Sequence, residues 1–209
     1  MEKSTRDRIV GKVWEMLLSR GFSKVTMDEI ATELGISKKT LYKSFNSKDD
    51  LIEKVVHGQL VAINAHVQQI VASDMDYVDK LNRLFTFIGN FVSKINRQFT
   101  DDLRRMKPAL WQHIDDFRRG NILVNIGNIL EQGIQQGMFR KDIDKDVAVL
   151  MFLTAVPGVI NPDILGTHSF SAGQAFRNMI KIFFEGVLTD EARESYREHG
   201  ITVGGLHHD

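Results

Sequence analysis

The sequence of 209 residues contains no cysteine. That removes disulfides, thiolate metal sites, cysteine nucleophiles and redox chemistry at sulfur together, and leaves any metal to histidine and carboxylate ligands. Net charge is also missing, because 27 Lys and Arg balance 27 Asp and Glu. No global field therefore draws the chain to nucleic acid or membrane, and any nucleic-acid site has to be a local patch. There is no run of about eighteen apolar residues, and Arg6, Asp7 and Arg8 interrupt the N-terminal stretch before an apolar signal segment forms. A cytoplasmic protein is expected.

Catalytic patterns are missing as well. The chain has no Gly-rich phosphate loop, no Gly-x-Ser-x-Gly elbow, no His-Glu-x-x-His pair and no Glu-x-x-His repeat of the di-iron type. We expect no enzyme, no cofactor and no resident metal. His207, His208 and Asp209 form a terminal cluster able to hold a metal only loosely, and a frayed tail of this kind is usually inert.

What the sequence does have is 43% hydrophobic residues, enough for a core, spaced with a helical period nearly throughout. Ile9, Val10, Val13, Trp14, Leu17 and Leu18 mark a first helix that stops at Gly21. Thr26, followed by Met27, Ile30, Ala31 and Leu34 with Glu29 three positions on, predicts a capping box and a short second helix closed by Gly35. Ser37 is placed to cap a third helix from Lys38 to about Phe45, with Leu41 and Phe45 inward and Lys38, Lys39, Thr40, Tyr42 and Lys43 outward. Ser47 with Asp50 opens a fourth.

Four lysines and no acid lie between Leu34 and Lys48 in an otherwise neutral chain. On charge alone, a solvated lysine face on a three-helix core accounts for this segment equally well. The three-residue turn beginning with Gly35 and an exposed Tyr42 favour the other reading, a helix-turn-helix whose second helix enters the major groove.

The stretch from Thr26 to Leu51, with Ile30-Ala31, Leu34-Gly35, Ser37, Thr40-Leu41-Tyr42, Phe45, Ser47-Lys48 and Leu51 in order, closely resembles the DNA-binding signature of the tetracycline-repressor (TetR) family, and Gly21-Phe22 and Val25 fit it too. The resemblance implies that Thr26 and Lys48 meet phosphates at helix N-termini, and that Tyr42 meets the backbone or a thymine methyl. It places Lys38, Lys39, Thr40 and Lys43 toward the groove, with Ser37 at the start of the reading helix. One position departs from the pattern, since Ser44 stands where the family often has an aromatic residue.

Residues 1–50 are thus expected to form the DNA-binding domain. Residues 51–209 are expected to form a helical effector-binding and dimerisation domain, joined to the first by a nearly continuous fourth helix. The segments at about 76–99, 101–107, 110–136, 144–156 and 171–188 read as helices, bounded by Pro108, Gly137, Pro157 and a loop from Asn161 to Ser169. The fold class is all-α, with about nine helices in all.

Gly137 to Asp144 and Pro108 to Trp111 are weaker points of likeness to the same family, whose last two long helices pair between protomers. The apolar residues Val147, Leu150, Met151 and Thr154, with Phe176, Ile180, Phe183, Phe184 and Val187, are candidates for that bundle. Alternatively, the same residues form an intramolecular core. Phe87, Phe91, Met106, Trp111, His113, Phe117 and Met151 are candidates to line a pocket for an apolar effector. Asn90, Asn125 and Asn128, polar positions in apolar stretches, would need partners if they point inward.

The function expected is a ligand-responsive repressor that binds a palindromic operator in double-stranded DNA as a homodimer, with a small-molecule effector and no membrane partner. A rival reading is a helical ligand-binding or catalytic protein whose basic N-terminal unit contacts a protein partner. Salt dependence of DNA binding separates the two.

Overall fold

The computed structural model describes residues 3–199, and the terminal His207, His208 and Asp209 lie outside them. Eleven helices run through the described residues: α1 (Lys3–Arg20), α2 (Met27–Leu34), α3 (Lys38–Tyr42), α4 (Lys48–Val71), α5 (Tyr77–Ser93), α6 (Arg97–Met106), α7 (Pro108–Gln135), α8 (Lys145–Val159), α9 (Pro162–Thr167), α10 (Ala172–Val187) and α11 (Asp190–His199). Among them the sole β feature is an isolated bridge between Phe139 and Leu188. The chain is all-α.

The early boundaries follow from local chemistry. Gly21 takes φ +80, and a Cβ there would meet Asp102 Oδ2 and Gln98 Cγ at 2.6 Å, so both its backbone angle and its surroundings require glycine. Gly35, at φ 64, ends α2 by donating its N–H back to the last turn. Ser47 Oγ accepts from the Asp50 amide at 3.0 Å and starts α4.

Later boundaries depart from the expected ones. The helix expected over 76–99 breaks after Ser93, because Asn96 accepts from the Phe99 amide and caps a new helix, α6. α8 continues through Pro157 to Val159, since a proline in a last turn removes few backbone bonds and Asn161 Nδ2 donates to the Pro157 and Gly158 carbonyls. Within the expected loop from Asn161 to Ser169, Asn161 caps α9 and Pro162 occupies its first turn. α11 is highly polar and carries no apolar stripe to betray it.

Packing divides the chain into two compact units, residues 1–64 with 95–115, and residues 65–94 with 116–209. This is not the linear division expected at residue 50. α4 is unbroken and contributes to both units, and α6 packs on α1.

In the first unit Ile9, Val13, Leu17, Phe22, Val25, Ile30, Leu41, Phe45, Leu51 and Val55 share a core with Phe99 and Leu103 of α6. Phe99 lies edge-on to Trp14 at 5.7 Å and 5.0 Å from Phe22. The second unit closes on Phe85, Phe139 and Phe184, whose rings are 4.7 and 5.6 Å apart along the chain of contacts. Within this unit Asn125 is buried and accepts from Gln68 Nε2 at 2.8 Å, which meets its need for a partner, whereas Asn90 and Asn128 face solvent.

Candidate nucleic-acid interface

α2 and α3 meet through the turn Gly35-Ile36-Ser37. Thr26 accepts from the Glu29 amide at 3.2 Å and the Glu29 carboxylate accepts from the Thr26 amide at 2.8 Å, a complete capping box. Ser37 Oγ accepts from the Thr40 amide at 3.1 Å and lies 2.9 Å from the Thr40 hydroxyl. α3 ends at Tyr42, short of the Phe45 expected to close it, because the chain turns at Lys43; Leu41 on α3 and Phe45 just beyond it, both at most 1% exposed, pin the segment to the core from one side. That fixes which side chains face outward.

On that outer side Tyr42 is 48% exposed, and Lys39 and Lys43 are exposed with no ion pair to any described residue. Lys38 differs. Its ammonium lies 2.7 Å from Asp28 Oδ1, and this bond holds its pKa above the ordinary lysine value. The positive face of α3 is therefore centred on Lys39 and Lys43, with Lys38 partly neutralised.

Lys48 is half-buried and donates to the Phe22 carbonyl at 2.7 Å, tying the start of α4 to the α1–α2 turn while leaving two ammonium protons for other acceptors. The Thr26 hydroxyl also donates to Glu29 at 3.0 Å, which sets a carboxylate at the start of α2. A phosphate there would meet that negative charge.

Sequence reasoning did not find what braces this reader. Asp102 on α6 is buried, and its Oδ2 accepts from the Ser23 amide and the Ser23 hydroxyl, both at 2.7 Å, while Oδ1 accepts from Gln98 Nε2 at 2.6 Å. Burial pushes the carboxyl pKa up, but these bonds, with one from the Phe22 amide, outweigh it and hold the group below the ordinary carboxylate range. Lys107, at the α6–α7 junction, lies 2.8 Å from Asp49 and 3.8 Å from Glu53 on α4. Glu33 of α2 meets Lys12 and Arg20 of α1, which lower its pKa. The available signal was one acid of the Asp101–Asp102 pair, whose partner Ser23 lies 79 residues away.

The candidate pocket residues divide between the units. Met106, Trp111 and His113 belong to the first. There Met106 is 55% exposed, Trp111 packs against the core and His113 meets His57. In the second unit Phe87 and Phe91 pack against the core, Phe117 is half-buried, and Met151 is 60% exposed on α8.

Met151 instead joins Val147, Leu150, Thr154, Ala155 and Gly158 in one outward stripe along α8, a repeat of i, i+3, i+4, i+7, i+8 and i+11 without a charged residue. The partners expected from α10 are different. Phe176, Ile180, Phe184 and Val187 are buried in the core of their own unit, Phe183 packs against it half-buried, and the large apolar residue that α10 leaves outward is Ile182, at 73% exposure.

These features define an all-helical protein whose first unit contains a helix-turn-helix. The family model described as "Bacterial regulatory proteins, tetR family" matches residues 13–55. Over 189 residues the chain is 25% identical to the HTH-type transcriptional regulator YvaF of Bacillus subtilis, covering 90% of this chain and 98% of that one. It is 26% identical over 148 residues to the HTH-type transcriptional repressor KstR2 of Mycobacterium tuberculosis, covering 69% and 74%. The solved structure of KstR2, described as a ketosteroid transcriptional regulator, superposes with a TM-score of 0.57 at 23% identity, over 91% of this chain and 98% of that one. The chain is therefore similar, in its helix-turn-helix segment and over most of its length, to tetR-family transcriptional regulators. No helix among the described residues is long and apolar enough to cross a membrane.

Proposed function

We propose that the protein is a cytoplasmic, ligand-responsive repressor that occupies a palindromic operator as a homodimer. The observation that carries the DNA half is the outer face of α3, where Lys39, Tyr42 and Lys43 stand clear of internal partners on a helix pinned from behind by Leu41 and Phe45. In this reading Lys39 and Lys43 address base edges, Tyr42 packs on the backbone or a thymine methyl, and Ser37, Lys38, Thr40 and Lys48 position the unit on phosphates, with Thr26 at the rim.

The uncharged stripe on α8, with Ile182 of α10, supports a twofold contact between protomers. An exposed apolar face of this kind favours burial against a like face. The effector is assigned to the second unit, near Phe87, Phe91 and Phe117, and its class to small apolar molecules. The likeness to a ketosteroid regulator supports that class. α4 belongs to both units, so an effector that binds two positions of α4 unequally shifts operator affinity.

The test is selection of bound duplex from a random pool, followed by titration at several salt concentrations. A palindromic consensus and a log–log slope of about −0.9 per phosphate contacted support the reading. Salt-insensitive binding or absence of a consensus sinks it in favour of a protein partner.

A further inference from the structure

The first unit carries a pair of histidines that the DNA-binding reading does not use. His57, on α4, sets its Nδ1 3.3 Å from Nε2 of His113, on α7. The ring centroids are 5.6 Å apart, so each ring turns that nitrogen edgewise toward the other instead of laying face on face. Both side chains are exposed and open to ions from solvent. Without an ion, one ring can share its N–H with the other nitrogen across this distance. Two imidazole nitrogens on one tetrahedral ion, with bonds of 2.0–2.1 Å, also stand about 3.3–3.4 Å apart, so a turn of each exposed ring off the line that joins them aims both nitrogens at a shared ion.

We propose that His57 and His113 form a two-histidine site for a borderline divalent transition-metal ion such as zinc(II), which staples α4 to α7 within the first unit. Among the described residues no set of three histidine or acidic side chains gathers around one point. The protein therefore supplies two ligands, and water fills the remaining positions. Glu53, one turn before His57 on α4, and Asp49 beyond it lend negative charge on the same side of the helix, and Lys107 offsets part of it. The other described histidines with recorded contacts are engaged elsewhere, His66 against Phe87 at 4.3 Å and His168 near the Ile164 carbonyl at 2.9 Å. The ion binds through neutral imidazole nitrogens.

The test titrates the full-length, chelator-stripped protein with zinc chloride at about pH 7.5, following heat release and thermal midpoint, with magnesium chloride as control. One zinc ion per chain is expected at micromolar affinity, with a raised midpoint reversed by EDTA. His57→Gln and His113→Gln, both surface changes, are each expected to weaken binding by about tenfold or more and to cancel the rise. The double variant His207→Ala/His208→Ala is expected to keep both effects. Zinc binding that survives in the two glutamine variants, or vanishes in the tail variant, overturns the site.

Discussion

The two units of this chain solve the same problem, burying helices, with different chemistry. The first is a small apolar core closed by polar latches, in which Asp102 accepts from Ser23, Lys107 meets Asp49, and Lys48 donates to a backbone carbonyl. The second has an aromatic core around Phe85, Phe139 and Phe184 and leaves an uncharged stripe of α8 outside it. Directional bonds fix the angle of a reading helix. An open apolar face fixes nothing until it meets a partner, and it suits association.

Substitutions at the two ends of this contrast should separate it. Phe99→Ala removes the ring shared by Trp14 and Phe22, and is expected to destabilise the first unit by about 3–5 kcal/mol, seen as an early transition in urea followed by tryptophan emission. A single unchanged transition would show that α6 is not part of that core. Leu150→Asp should leave the fold intact but weaken self-association by about 2–4 kcal/mol, read as a shift to monomer mass in sedimentation. Retention of the parent mass removes the stripe from the proposed interface.

Asp102→Ala leaves the Ser23 and Gln98 donors unpaired, at a cost of about 1–3 kcal/mol. The folded-state pKa of Asp102 is depressed, so its stabilisation is present above the unfolded value and fades as pH falls through the folded one. The gap between parent and variant in urea midpoint should accordingly narrow below about pH 4. A gap constant with pH would mean that the charge is not what holds the latch.

The smallest effects concern reading and not folding. Lys39→Ala or Lys43→Ala should cost about 1–3 kcal/mol of discrimination between operator and random duplex, whereas Lys38→Ala, already paired with Asp28, should change affinity for both by less than about 1 kcal/mol. Competition binding measures this directly, and equal losses at all three positions would erase the distinction.

Local signals made the first unit readable in sequence. The Thr26–Glu29 box, Gly35, the Ser37 cap and the Leu41–Phe45 spacing each act within a few residues, and the structure reproduces them. Long-range events were not readable. Nothing near Asp102 announces Ser23, and nothing in Phe176 or Phe184 says whether a partner or the chain itself covers them. Even Asn96, a strong cap, was hidden inside a continuous apolar period that ran from α5 toward Phe99.

The chain passes between units three times, at 64/65, 94/95 and 115/116, twice in the middle of a helix. The reader is consequently not a detachable cassette. A chimera that transplants residues 1–64 onto a foreign regulator carries Ser23, Trp14 and Phe22 away from Asp102 and Phe99, and its junction must be matched at the α6 segment as well. Exchange between relatives should succeed only when both stretches travel together.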